Sequence, residues 1–517
     1  QNRNIAWGGT VAYFDLTEVY VEELNEDRTA VIFRGEEVPL ITRDWPFELD
    51  TGETTTVPLQ WVPHHGPVLS IDPEAGTALS LRWTGQDVST DIEVLYRLAR
   101  ASNLEEAREA LSLTTTIGQN WVVADNQGGI GWYPYNRVPF RDWHSEDNPS
   151  WFPVPGNGDF EWERYWSLDA LPQATNPPSG YVATANQDMT GDLADGIPGN
   201  EGYPPLQIDG DPGGRQSRII ERMAERQLHD AESMRDIQAD VFSVAGRWMV
   251  PALLEIWGAD GPEGRPDSAA TVMEALRAWD YQCPTGLDGV RPGDPATTDP
   301  AVAAASAGCL AFHVLLSDFR RALYGDEFDA GQLPAYPTIA HTVRLVRGTD
   351  TLLTNENWWD DVSTEDGVET PADTLLRALT VSGDWIVSQQ GADAADWRWG
   401  RVHTVTLRAD LFDSFGINTF NNGPRANDGG TWTVDVAQPN SPFTRDYSHN
   451  AGASMRLLCE GLPAGMACTI QLPGGQRHFR DADHYESMLV DWLNNVPFPL
   501  SMDVDTVPTD DVWVRVP

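Results

Sequence analysis

The stretch Asn2 to Thr10 reads NRNIAWGGT and runs straight on into VAYFDL. From Ile5 to about Arg43, short alternating apolar runs (IAWGGTVAYFDL, EVYVEEL, TAVIFRG) are broken by polar turns, the pattern of antiparallel strands. TTTVPLQWV, HHGPVLSI and ALSLRW extend the sheet through residues 54 to 83. Between Val88 and Ala110 the spacing turns helical, and IEVLYRLARA and NLEEAREAL are expected as two helices. Thr114 to Arg141 returns to strands, with hairpin-turn chemistry at Asn126 to Gly129.

Residues 142–214 are rich in Pro, Gly, Trp and Asp, and so long an irregular stretch is expected to be a functional loop region lining a site. Helical spacing resumes from Arg215 to about Trp257, at Ala269 to Trp279 and at Ala301 to Leu323. This makes residues 215–325 a mainly helical block with a Gly/Pro-rich insertion at about 281–300. Farther on, a helix is expected at Pro371 to Val381 and another over DADHYESMLVDWL, with strands at RVHTVTLRADL, GTWTVDVA, SMRLLCE and ACTIQLPG. Strands, a loop, helices and strands again suit antiparallel sheets covered by helices, an α+β fold, and not the βαβ series of a Rossmann or TIM architecture. Large mixed α/β enzymes of this length form one unit, and residues 1–517 are read as a single large portion.

The formal charge of −44 excludes nucleic acid and anionic membrane surfaces as partners, because both need clustered cations. The acidity reads as a solvated surface. No Lys occurs, which removes Ser–Lys dyads, Schiff-base lysines and P-loops, and leaves a chain-terminal amine as the only unhindered amine base. No run approaches the roughly 20 apolar residues of a membrane span. No basic apolar leader stands at Gln1, as expected of a fragment or a processed product. The four Cys lack a C-x-x-C, which argues against a zinc or redox site. Cys459 and Cys468 flank a Gly/Pro turn and read as a bridged hairpin; Cys283 and Cys309 bracket a Gly/Pro/Asp-rich excursion. Two bridges imply a periplasmic or extracellular compartment, whereas four free thiols would suit the cytosol. G-x-S-x-G and H-E-x-x-H are both missing from the sequence, which sets aside Ser-His-Asp hydrolases and zinc peptidases.

NRNIAWGGT is followed by HHGPV (His64 to Val68), QNWVVADNQGGIGW (Gln119 to Trp132), PVPG (Pro153 to Gly156), NPPSGYVATAN (Asn176 to Asn186) and GRQSRIIERM (Gly214 to Met223). WGRVH (Trp399 to His403), DYSHNAGASMR (Asp446 to Arg456) and GGQRHFRDADHY (Gly474 to Tyr485) complete the series. In this order the blocks resemble the penicillin acylase family of N-terminal-nucleophile amidohydrolases. The first block is also similar to the aculeacin and acyl-homoserine-lactone acylase branch, whose members tend to carry a His where this chain has Gly8 and Gly9. The resemblance implies a four-layer αββα sandwich. It also implies a nucleophile, Ser or else Cys or Thr, on a segment upstream of Gln1, and a companion chain with an α subunit.

The same resemblance assigns the oxyanion hole to the backbone N–H of Val11 and the side-chain amide of Asn186, and places Arg215 beside the nucleophile's amine. There a fixed guanidinium would favour the neutral base; Arg218 is the register alternative. It further implies a structural calcium ion held by Asp15, the carbonyl of Thr17, Glu18 and the carbonyl of Ser150, with Asp192 or Asp195 and a ligand from another chain completing the shell. Hard oxygen donors of this kind suit Ca²⁺. His65 and His449 lie in blocks that look structural in the family. Trp132, Tyr133, Tyr135, Trp143, Trp151 and Trp162 could line an acyl pocket, although such residues more commonly pack a core. The expected function is hydrolysis of an N-acyl amide by way of an acyl-enzyme. The competing reading is a non-catalytic scaffold or binding protein that keeps the fold.

Overall fold

The computed structural model describes residues 1–517 except 146, 192–204, 209–210, 332–334, 350–356, 365–367, 441, 476–479, 481–483 and 502–517. Two compact units emerge, one of residues 1–213 with 461–466, the other of residues 214–460 with 467–517.

In the first unit the opening run becomes β1 (Ile5–Val11). After it come β2 (Thr17–Glu23), β3 (Ala30–Phe33), β4 (Glu36–Pro39), β5 (Ile41–Glu48), β6 (Thr54–Val62), β7 (Gly66–Asp72) and β8 (Thr77–Trp83). Helices α1 (Asp91–Leu98) and α2 (Leu104–Leu111) precede β9 (Gln119–Asp125), β10 (Ile130–Tyr133), β11 (Pro139–Phe140), β12 (Val154–Pro155), β13 (Arg164–Tyr165) and β14 (Ala174–Thr175). One antiparallel sheet has the order β1-β9-β10-β14, and a second has the order β12-β2-β8-β7-β6-β5, in which only β12 runs parallel to its neighbour.

Period-two alternation explains the first sheet. Ile5, Trp121, Val123 and Tyr133 point to one face, where they meet Val94, Leu98, Ala107 and Leu111 of the two helices in a single core. Asn103 caps α2 by accepting from Glu106 N at 3.0 Å. The β9–β10 turn is held by Asp125, whose Oδ1 accepts from Gln127 N and Gly129 N. Gly128 takes φ +93°, which a side chain would resist. The described residues of 142–191, apart from short β-pairs and a 3-10 turn at Leu168–Ala170, are irregular, as their composition implies.

The second unit opens with α3 (Gly214–Ala224), α4 (Ala231–Gln238), α5 (Val244–Trp257), α6 (Asp267–Ala278), α7 (Pro300–Asp329), α8 (Ile339–Val346) and α9 (Pro371–Gln390). Next come β15 (Thr404–Leu407), α10 (Asp410–Asp413), β16 (Asn422–Ala426), β17 (Arg456–Leu462), β18 (Gly465–Gln471), α11 (Leu489–Leu493) and β19 (Phe498–Leu500). Asp299 caps α7 ahead of Pro300, and Leu310, Phe312, Leu315 and Phe319 carry that helix through the core among Trp279, Trp397 and Trp399. Both disulfides form, Cys283–Cys309 and Cys459–Cys468.

Several expectations need correction. α7 is long and apolar enough to cross a membrane by length and composition, contrary to the reading of the runs, but it is mostly buried within its own unit. GTWTVDVA is no strand. Trp432 adopts φ 56°, and Thr433 Oγ1 bonds both Gly430 and Asp435, closing the segment into a turn that seats Trp432 in the core. Of the helix expected over 481–493 only Leu489–Leu493 forms, residues 481–483 lying outside the described set. α9 runs on to Gln390, nine residues past the expected end at Val381, and the strand expected through Leu411 stops at Leu407.

Candidate active site

β1 closes one side of its sheet among the described strands. Ala12 N donates to Gly118 O at 2.9 Å, so Ala12 faces β9 and strand alternation turns the N–H and C=O of Val11 toward the outer edge. Asn186 Nδ2 donates to Val11 O at 3.0 Å. Because the two backbone groups of one strand residue face the same edge, an amide bonded to the C=O stands beside the N–H. The structure thus brings Val11 and Asn186 together across 175 residues of sequence.

The loop that presents Asn186 is fixed by side chains. Asn186 takes φ 62°, the left-handed region that Asn tolerates best after Gly. Gln187 Oε1 accepts from Ala185 N at 2.8 Å, and Thr184 Oγ1 lies 2.9 Å from Thr10 Oγ1 on β1. Gln207, 2% exposed, ties loop to strand: its Nε2 donates to Ala12 O at 2.6 Å and its Oε1 accepts from Met189 N at 2.8 Å. On the sheet side, buried Asn120 donates to Val11 O at 3.3 Å while accepting from Trp132 Nε1 at 3.0 Å. Sequence reasoning missed Gln207 and Asn120. Neither carried a signal: alternation along β9 sets Asn120 on the face opposite Trp121 and Val123, and Gln207 lies in an irregular stretch. Chemically, a strand-edge N–H beside a positioned side-chain amide is a place where an oxygen gathering negative charge can be stabilised.

Arg215 lies in the first turn of α3, in the second unit. The register alternative, Arg218, is engaged elsewhere: it pairs with Asp240 at 2.7 Å, donates to Glu221 and stacks over Phe242. That unit also holds a cavity of about 390 Å³ lined in part by His313, Arg320, Gln438 and Phe443, and none of the expected site residues lines it.

The expected calcium ligands Asp15, Glu18 and Ser150 are 5%, 2% and 3% exposed, and Asp15 and Glu18 meet at one point. A guanidinium is already there. Arg141, fully buried, lies 3.1 Å from Asp15 Oδ1 through Nη2, which also donates to Thr17 O at 2.8 Å, while its Nε donates to Glu18 Oε2 at 2.6 Å. Trp162 Nε1 adds a bond to Glu18 Oε2 at 3.2 Å. Burial pushes the Glu18 carboxyl up to about 7 even with Arg141 beside it, and raises Asp15 in the same way. The guanidinium takes one oxygen of each carboxylate, and Asp15 Oδ2, Glu18 Oε1 and Ser150 Oγ are buried without a hydrogen-bond partner, so oxygens of the expected donor set remain open to a cation. Ser150 donates its N–H to His144 Nδ1 at 3.2 Å, and Asp192 and Asp195 lie outside the described residues.

The two histidines are structural. His65 sits between Glu22 and Glu161 at 2.6 and 2.8 Å, stacked on Tyr20. His449 is 1% exposed, is bonded to Ala451 O and Asn427, and stacks on His403. Tyr133, Tyr135 and Trp162 are buried, Trp143 packs on Phe160 and Trp151 on His144, which favours packing over a pocket for most of the aromatic set.

Comparison with known proteins finds relatives in sequence and in fold. Acyl-homoserine lactone acylase QuiP of Pseudomonas putida is 22% identical over 515 residues, covering 95% of this chain and 58% of that protein. Penicillin acylase 2 proenzyme of Pseudomonas sp. strain SE83 is 29% identical over 288 residues, 55% of this chain and 35% of its own length. The chain therefore spans little more than half of the first and about a third of the second. The thermostable penicillin G acylase of Alcaligenes faecalis shares the fold, with a TM-score of 0.69 at 19% identity, over 100% of this chain and 89% of that one. The model of the penicillin amidase family matches residues 1–509, and by that match the chain belongs to the penicillin amidase family.

Proposed function

We propose that this chain forms the greater part of an amidohydrolase that cleaves N-acyl amides by way of an acyl-enzyme. The observation that carries the reading is the hydrogen bond from Asn186 Nδ2 to Val11 O on the outer edge of β1, in a chain of this family. The nucleophile, a Ser with a free α-amine, comes from a segment outside residues 1–517, and the greater length of the relatives leaves room for it. Its Oγ attacks the amide carbon as the α-amine takes the hydroxyl proton, and the carbonyl electron pair moves onto oxygen. Val11 N–H and the Asn186 amide donate to that oxyanion, each contributing roughly 3 kcal/mol to transition-state binding. The C–N bond then breaks, the proton passes to the leaving nitrogen, and water releases the acid from the ester by the same steps. Arg215 keeps the role the resemblance implies, a fixed cation that favours the neutral amine.

The relatives are named as acylases of penicillin and of acyl-homoserine lactone, which supports removal of an acyl group here; an aromatic or a fatty acyl chain is the reading we adopt. A companion chain is supported by the exposed apolar residues Ile41, Trp45 and Phe47 along β5. The two disulfides support a periplasmic or extracellular location, and the penicillin G acylase likeness supports the four-layer αββα arrangement.

The test is Asn186→Ala in the assembled protein, assayed on phenylacetyl and long-chain acyl p-nitroanilides. Turnover should fall about 10² to 10³-fold with the melting temperature nearly unchanged. A folded variant with undiminished turnover removes the oxyanion assignment, and a wild-type protein inert to the whole panel favours the scaffold reading.

A further inference from the structure

We infer that the cavity of about 390 Å³ in the second unit binds a small monocarboxylic acid with an apolar body, its carboxylate held by Arg320. The inference does not rest on the amidase reading. His313, Leu316, Ser317 and Arg320, spaced i, i+3, i+4 and i+7 along α7, bring one face of that helix to the cavity. Among the described residues that line it none is Asp or Glu, in a chain with 78 of them against 34 Arg. Arg320 is the one charged side chain in that lining. His313 does not share the charge. Its Nε2 accepts from Thr431 N at 2.8 Å, so the proton sits on Nδ1, which donates to Cys309 O at 2.8 Å, and burial pushes the imidazole down to about 4.

Arg320 makes no ion pair among the described residues. Its one acceptor there is Pro337 O, reached by Nη2, and its Nε is buried without a hydrogen-bond partner. Burial lowers the guanidinium from its ordinary value, and the groups that oppose this are Tyr324 and Tyr336, not acids; it stays charged all the same. A largely buried cation without a counter-ion is unfavourable, and a carboxylate, whose two oxygens match the guanidinium fork, relieves it. The walls suit the rest of such a ligand. Phe443 packs 4.6 Å from the Tyr336 ring and 5.1 Å from the Arg320 guanidinium, its carbonyl accepts from Arg321 at 2.6 Å, and Leu316 and Ile339 add aliphatic surface. A phosphate, with three acceptor oxygens, would need donors that these walls do not supply. The volume lies at the lower end of the roughly 300–1,000 Å³ of small-molecule pockets, which favours a compact acid.

The experiment titrates the full assembled protein with 4-phenylbutyrate and with octanoate by calorimetry, using 4-phenylbutyramide and inorganic phosphate as controls. The wild type should take up one equivalent of at least one acid with a Kd of about 1 mM or tighter, and the amide and phosphate should bind about tenfold more weakly or worse. Arg320→Met, which keeps the apolar stem, should lose that equivalent. Asn186→Ala should keep it, which separates this site from the one assigned to the amide oxygen. Ile339→Trp should lose it too, by filling the cavity while leaving Arg320 in place. A wild type that takes up neither acid overturns the inference, as does an equivalent that a folded Arg320→Met retains undiminished. Amide binding as tight as the acid removes the role of charge, and phosphate binding as tight makes the site one for plain anions; either result overturns it. If Arg320→Met does not fold, Ile339→Trp and the comparison of acid with amide decide.

Discussion

At the scale of single residues, the pair Val11 and Asn186 illustrates what sequence can and cannot convey. Asn186 ends one short block and Val11 directly follows another, so the sequence offered both as candidates, and the structure brings them into hydrogen-bond contact. Gln207 and Arg141 were not offered, because what matters about them is a partner 195 or 123 residues away. Gln207 is the sharper case. Its amide satisfies Ala12 O and Met189 N at once, within a residue or three of the two groups assigned to the oxyanion. Replacing it with Leu leaves the buried Ala12 carbonyl unpaired, at about 1–3 kcal/mol, and the part-buried Met189 N–H unpaired at no more than that. Gln207→Leu should therefore lower stability by about 2–5 kcal/mol in denaturant titration. It should also reduce turnover among the molecules that remain folded, since the Asn186 loop loses its tie to β1. Gln207→Glu keeps the acceptor but sets a buried carboxylate oxygen against Ala12 O, and should be at least as destabilising as Leu at pH 8 and recover toward wild type as the pH falls and the carboxyl regains a donor proton. Equal turnover per folded molecule in all three would make Gln207 a stability residue only.

Among elements, alternation identified the β-strands of the first unit because one face of each sheet is buried, whereas GTWTVDVA alternates for another reason, a left-handed Trp432 that turns the chain into the core. Helix-on-helix contact was equally invisible, yet it constrains α7. A Cβ at Gly308 would lie 2.5 Å from Trp279 Cβ, in a fixed part of the ring's stem. Gly308→Ala gains at most about 1 kcal/mol of helix propensity, and overpacking of this kind costs about 1–3 kcal/mol. The variant should be less stable than wild type by urea titration; a gain would mean that α6 and α7 can move apart. The β2–β8–β7 sheet is pinned differently, by His65 reaching from the β6–β7 turn to Glu22 on β2 and to Glu161, with Arg82 and His64 facing the same cluster and Ser80 donating to Glu22. Burial alone would lower the His65 imidazole, but the hydrogen bonds to Glu161 and Glu22 outweigh it and raise it above 6.5. A raised imidazole contributes stability that is complete below the unfolded value of 6.5 and is lost as pH climbs through the folded one. The melting temperature should thus decline from pH 6 to pH 9, and His65→Gln should flatten the slope while melting lower at pH 6. Parallel slopes in the two proteins would show that the cluster does not hold a proton.

At the scale of the whole molecule, net charge sets the behaviour that no local contact explains. With a formal charge of −44 and Arg as its only basic side chain besides His, the folded protein confines more carboxylates than its cations can neutralise. The unfolded chain spreads the same charge over a larger volume, so repulsion opposes folding and salt should relieve it. Two effects compete. Screening at high ionic strength also weakens favourable pairs such as Arg97–Glu93 and Arg408–Asp413, but exposed pairs of this kind contribute only about 0–1 kcal/mol each. The buried pairs, Arg141 with Asp15 and Glu18 and Arg456 with Asp435, are screened much less. Repulsion among the excess carboxylates acts over many pairs at distances near the Debye length, which shrinks from about 10 Å at 0.1 M to about 3 Å at 1 M salt. The long-range term should dominate, and the melting temperature should rise by several degrees between 0.05 and 1 M NaCl at pH 7, most steeply at the low end. A sugar at the same osmolality should not reproduce that steep onset, which separates screening from preferential exclusion. A flat or falling curve would mean that the acidic surface is arranged so that its ion pairs outweigh its repulsion, and the distribution of charge, not its sum, would then be the property that folding feels.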